Sequence, residues 1–73
     1  MIAHLWRMQD MDNLWFWRLS YTVSGEKVDG GTWRESNKPE CEDLRRKLFH
    51  LLQLGYSIER RPDRPWSVLN ETL

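Results

Sequence analysis

The 73-residue chain carries 11 Lys+Arg against 11 Asp+Glu, one Cys and 40% hydrophobic residues, enough for one small domain and no second one. Neutral charge, shared evenly between the two halves, argues against a polybasic nucleic-acid binder and against a polyanionic mimic. A lone Cys forbids an internal disulfide. No apolar run approaches the roughly 18 residues of a membrane span and no basic-then-apolar leader opens the chain, so no membrane partner is expected and the expected location is cytoplasmic.

A domain this short buries only about 60% of the surface its unfolded chain exposes, and one such core supplies roughly 3–5 kcal/mol. Five tryptophans stand out against that size: Trp6, Trp15, Trp17, Trp33 and Trp66. Large rings serve both cores and binding hot spots, so each must be assigned to one or the other. Trp15 and Trp17 are expected in the core and Trp66 at the surface.

Residues 1–12 admit two readings, an extra edge strand or a flexible arm. Met1, Met8 and Met11 are each potential starts, and Gln9-Asp10-Met11-Asp12-Asn13 reads as a turn. Residues 13–23 carry the clearest strand signal, because Trp15, Trp17, Leu19, Tyr21 and Val23 alternate with Phe16, Arg18, Ser20 and Thr22; the odd set should face the core. Ser24 to Lys27 reads as a turn with Gly25 at positive φ, and a second strand follows to about Glu35, closing a hairpin. Gly30-Gly31 inside that strand predicts a bulge.

Residues 36–55 predict a helix. Ser36 or Asn37 suits its cap, Pro39 its first turn, and Glu40, Glu42 and Asp43 the positive end of its dipole. Cys41, Leu44, Leu48, Leu51 and Leu52 fall on one stripe, Phe49 and Leu54 fall off it, and Gly55 marks the stop. Tyr56 to Arg61 alternates as a third strand, Pro62-Asp63-Arg64-Pro65 reads as a turn, and Trp66-Ser67-Val68-Leu69 as a possible fourth strand folding back. The expected fold is thus α+β, β-β-α-β, open to extra strands at one or both ends. Its mainly antiparallel sheet, in the order 2-1-3 for these predicted strands, is covered on one face by the helix. The other face, with Phe16, Arg18, Ser20 and Thr22, is expected to lie uncovered.

Catalytic chemistry finds little support. His4, Cys41 and His50 are too far apart in sequence for a metal-ligand set, so no metal is expected. Cys41 lies on the apolar stripe, more than two turns from His50, which argues against a nucleophile and base. The acidic groups Asp10/Asp12 and Glu40/Glu42/Asp43 are explained by a turn and a helix start. Gly30-Gly31 lacks the pattern of a phosphate loop, and no serine elbow is present. The sequence therefore predicts a protein that is not an enzyme and holds no cofactor.

Two features remain as binding candidates. Arg60, Arg61 and Arg64 with Trp66 lie on a proline-rigidified turn, where forked donors and an indole suit carboxylates, phosphates or rings. Phe16 and Arg18, with Trp33 or Trp6 beside them, lie on the uncovered sheet face. In size and layout alone, the chain resembles small phage and mobile-element proteins, including anti-CRISPR inhibitors, that bind a larger host protein and block its site. That resemblance implies a non-enzymatic inhibitor occupying a partner's surface. The alternatives are a nucleic-acid module stacking bases on Phe16 or Trp66, and a homodimer joined at its sheet edges.

Overall fold

The computed structural model describes residues 1–67. Its elements run β1 (Ile2–Gln9), β2 (Trp15–Val23), β3 (Glu26–Arg34), α1 (Lys38–Gln53) and β4 (Ser57–Arg60). The four strands form one sheet in the order β3-β2-β1-β4. The pairs β1/β2 and β2/β3 are antiparallel and β1/β4 is parallel. The α+β class and the mainly antiparallel sheet are therefore present.

The segment read as an edge strand or arm is neither, because β1 lies inside the sheet between β2 and β4. It also separates the two strands expected to be neighbours. The cause is its alternation: Ala3 and Leu5 are buried on the helix side, at 0% and 7% exposure. A turn of its own then folds it onto β2, with Asp10 Oδ1 accepting from the Asp12 and Leu14 amides at 2.9 and 3.1 Å. Such a side-chain turn is what aspartate offers before a hairpin.

The β2–β3 hairpin closes through Ser24 and Gly25, at φ 51° and 82°, the paired positive values that match strand twist. The bulge predicted at Gly30-Gly31 is there, where the register shifts between Leu19 and Ser20. Both glycines are required. A β-carbon on Gly30 would stand 3.0 Å from Leu19, and Gly31 has φ 121° with the Trp33 ring 3.1 Å from where its β-carbon would be.

Asn37, rather than Ser36, caps α1, its Oδ1 accepting from the Glu40 amide at 3.0 Å. Leu44 and Leu51 are buried from this helix and Leu48 packs beside them, whereas Leu52, expected on the stripe, is exposed with Phe49 and Leu54. Past the Leu54 cap the chain turns back, with the Tyr56 amide donating to Leu51 O at 3.0 Å. The core comprises Ala3, Leu5, Leu19, Trp33, Leu44, Leu51 and Tyr56; each larger side chain contributes about 1.5–3 kcal/mol. Tyr56 also donates its hydroxyl to Thr22 O at 2.8 Å, so its polar tip is satisfied where its ring is buried.

The tryptophans redistribute accordingly. Trp17 packs against the core as expected, while Trp15 is only half-buried and Trp33, considered above for the uncovered face, is the buried one on the helix side. Its indole Nε1 donates to Asp43 Oδ2 at 2.9 Å, which ties β3 to α1 and holds the Asp43 carboxyl below its ordinary value.

The proline segment after β4 does not fold back. It continues beside β1, with the Arg61 and Arg64 amides donating to Leu5 and Arg7 carbonyls at 2.9 Å each, and Gln9 N donating to Arg64 O at 2.9 Å. Pro62 and Pro65 lack an N–H and interrupt the ladder without ending it. Trp66 and Ser67 then have helical backbone instead of strand, and the remainder of the expected fourth strand, residues 68–69, lies outside the described residues. No helix among the described residues is long and apolar enough to cross a membrane.

Candidate binding surface on the open sheet face

Strand side chains alternate between faces, so the register fixes which residues share the side away from α1. From β1 these are His4, Trp6 and Met8; from β2, Phe16, Arg18 and Ser20. Opposite them β3 contributes Lys27, Asp29, Thr32 and Arg34, and β4 contributes Glu59. Arg61 and Arg64, on the segment running beside β1, join this face through the Trp6 ring.

Aromatic rings and guanidinium groups are stacked here. The Arg64 guanidinium carbon lies 4.0 Å from the centre of Trp6, that of Arg61 lies 5.1 Å from the same ring, and Arg34 lies 5.8 Å from Phe16. Such contacts hold an arginine flat and leave its N–H edge free to donate. Arg34 also donates to Asp10 at 2.6 Å, which with two turn amides holds that carboxyl below the usual aspartate range. Arg61 pairs with Glu59 and Arg18 reaches Asp29 at 3.4 Å. A groove of about 440 Å³ is walled by Trp6, Met8, Arg18, Ser20, Lys27, Val28, Asp29 and Arg64. A second, of about 420 Å³, shares Arg18 and adds Phe16, Thr32 and Arg34.

Charge is unevenly distributed. Among the described residues Arg18, Lys27, Arg34, Arg61 and Arg64 on this side are met by three carboxylates, Asp29, Glu59 and the Asp10 that pairs with Arg34, although the whole chain balances at 11 against 11. The overall neutrality read from composition thus conceals a cationic face.

The structure brings Phe16, Arg18, Arg61 and Arg64 onto one surface, as candidates, and sends Arg60 to the other. Its guanidinium carbon lies 4.7 Å over Trp17 and its Nη2 donates to Asp63 at 2.6 Å. Asp63 also accepts from Arg7 at 3.0 Å, while Arg7 forms a fork with Glu35 and stacks 3.9 Å over Trp15. This network joins β1, the end of β3 and the segment after β4 on the helix side of the sheet. Glu35 is held below its ordinary value by the Arg7 hydrogen bond first, and Asp63 by Arg60 first. Trp66 is half-buried, its amide donating to Gln9 Oε1 at 3.1 Å.

Met8, Lys27 and Arg34 were not singled out from the sequence, and Trp6 only as a neighbour. The usable signal was the even-position series Ile2, His4, Trp6, Met8, which becomes legible once β1 is known to be a strand. No group of three or more His, Cys, Asp or Glu suited to a metal occurs among the described residues. Cys41 Sγ lies 3.3 Å from Glu35 O, and nine helical residues, about 13 Å along the axis, separate it from His50. Compared with family models, with characterised proteins and with solved structures, the chain has no significant match.

Proposed function

We propose that this chain is a non-enzymatic binding protein that acts by occupying the surface of a larger protein, with the open sheet face as its contact. One observation carries the reading: Trp6, Met8 and Phe16 lie half-buried among arginines on the sheet face that the helix does not cover, the other face being already filled. Trp, Met and Arg are the side chains enriched where interfaces are strongest, and a face of this kind is satisfied by a partner. The setting we assign, from size and layout, is that of a phage or mobile-element inhibitor of a host protein.

A nucleic-acid module is the second reading, favoured by the cationic excess around Trp6 and Phe16. Edge-to-edge dimerisation is disfavoured by the edges themselves. The β3 edge carries the bulge and β4 has four residues followed by Pro62, both devices that blunt pairing.

The test is a pull-down from bacterial lysate, with and without nuclease, using wild type, Arg18→Glu on the open face and Arg46→Glu on α1. A stoichiometric protein is expected to survive nuclease with wild type and Arg46→Glu and to be lost with Arg18→Glu, whose melting curve checks its fold. Equal recovery by all three, or recovery abolished by nuclease, overturns the reading.

A further inference from the structure

We infer that the groove beside Trp6 receives an acidic segment of the partner protein, its carboxylates met by Arg64, Lys27 and Arg18. This rests on the protein-binding reading above and specifies the chemistry of the partner. Arg64 is fixed twice over. Its backbone is bonded on both sides to β1, through Arg7 O and the Gln9 amide at 2.9 Å each, and its guanidinium lies 4.0 Å over Trp6. Little side-chain freedom is left to lose on binding, which is the main gain of preorganisation.

Arg64 and Lys27 nevertheless make no ion pair among the described residues, and Arg18 has only the 3.4 Å contact to Asp29. The contrast with the opposite side is sharp. Arg7 and Arg60 there share Glu35 and Asp63 at hydrogen-bond distance. Three cations thus converge on a groove that holds one carboxylate, Asp29. Met8 and Trp6 form the apolar part of its wall, and apolar walls focus the field of nearby charges onto a ligand. The volume, about 440 Å³, lies in the range of about 300–1,000 Å³ typical of ligand sites.

Carboxylates suit this surface better than a phosphate chain. Base stacking needs an open ring, and Trp6 is already covered by Arg64 and Arg61. Asp29 and Glu59 would also repel a continuous polyanion crossing the sheet, whereas separate carboxylates avoid them.

The test uses the full chain, ¹⁵N-labelled, with three fluorescent probes: a twelve-residue peptide alternating aspartate and leucine, the same peptide with asparagine for aspartate, and a twelve-nucleotide oligothymidylate. The acidic peptide is expected to bind saturably and to shift the Trp6 indole and the Lys27, Val28 and Arg64 amides, while the asparagine peptide leaves them in place. Arg64→Ala should weaken that binding about 10- to 100-fold, the usual loss with a charge-assisted contact, and Arg46→Ala should not. Shifts confined to α1, no binding of the acidic peptide, or binding of the oligothymidylate at these residues in its place would overturn the inference. If the peptide fails while Arg18→Glu still abolishes capture of the lysate protein, the acidic occupant is wrong and the open-face reading stands; if capture also survives Arg18→Glu, that reading falls with it.

Discussion

Three alanine substitutions separate the two reasons this sheet needs glycine. At Gly25, φ is 82° and nothing lies within 4 Å of an added β-carbon, so only backbone strain of about 1–2 kcal/mol acts. At Gly30 the backbone is unstrained, but the β-carbon would meet Leu19 Cγ and Cδ2 at 3.0 Å and Tyr21 Cε1 at 3.1 Å. Leu19 is fully buried, so the added carbon crowds a packed side chain at a cost of about 1–3 kcal/mol. Gly31 combines both, with φ 121° and Trp33 at 3.1 and 3.2 Å. Each alanine also restricts the unfolded chain, returning about 0.4–1 kcal/mol. The net losses are about 0–1.5 kcal/mol for Gly25→Ala, about 0–2.5 for Gly30→Ala and about 1–4.5 for Gly31→Ala, the last against a total of only about 3–5 kcal/mol. Thermal and urea melts followed by tryptophan fluorescence measure the series, at about 4–8 °C per kcal/mol for a domain of this size. Should Gly31→Ala melt no lower than Gly25→Ala, Trp33 does not pack beneath the bulge. A Gly30→Ala that stabilises the chain would refute the contact with Leu19.

Two further outcomes follow from the helix cap and the ion-pair network. Asn37→Ala should cost about 1 kcal/mol, since the Glu40 amide loses its acceptor, and Asn37→Asp should cost nothing; paired thermal melts read both. Glu35, Asp63, Asp10 and Asp43 all have carboxyls lowered by folding. Their contribution is therefore complete above the unfolded carboxylate pKa of about 4 and disappears as pH falls through the lower folded values. Arg7→Gln, which removes the fork to Glu35, should lower stability by about 1 kcal/mol at pH 7, a solvent-screened value for a half-exposed pair. The difference from wild type should narrow as pH falls below the unfolded carboxylate range and through the lower folded values. A gap that does not narrow with falling pH, measured by urea midpoints, would assign the role of Arg7 to packing on Trp15 instead.

What the sequence by itself determined is what acts over about ten residues. Alternation marked β2 and its core-facing side, Ser24-Gly25 marked the hairpin, Gly30-Gly31 the bulge, and the Ser36-Asn37 pair with Gly55 the ends of the helix. Each is written in neighbouring residues because capping, turn chemistry and strand period are local effects. The uncovered face with Phe16 and Arg18 was legible for the same reason. Only the tertiary structure decided that β1 stands between β2 and β4, since its alternation marks a strand but not its neighbours, and pairing with both is a long-range contact. It also divided the arginines: Arg60 and Arg61 are adjacent in sequence but on opposite faces, one over Trp17 and the other over Trp6. Composition averages over both faces, whereas long-range register assigns each charge to one of them. A chain with no net charge therefore presents a cationic groove.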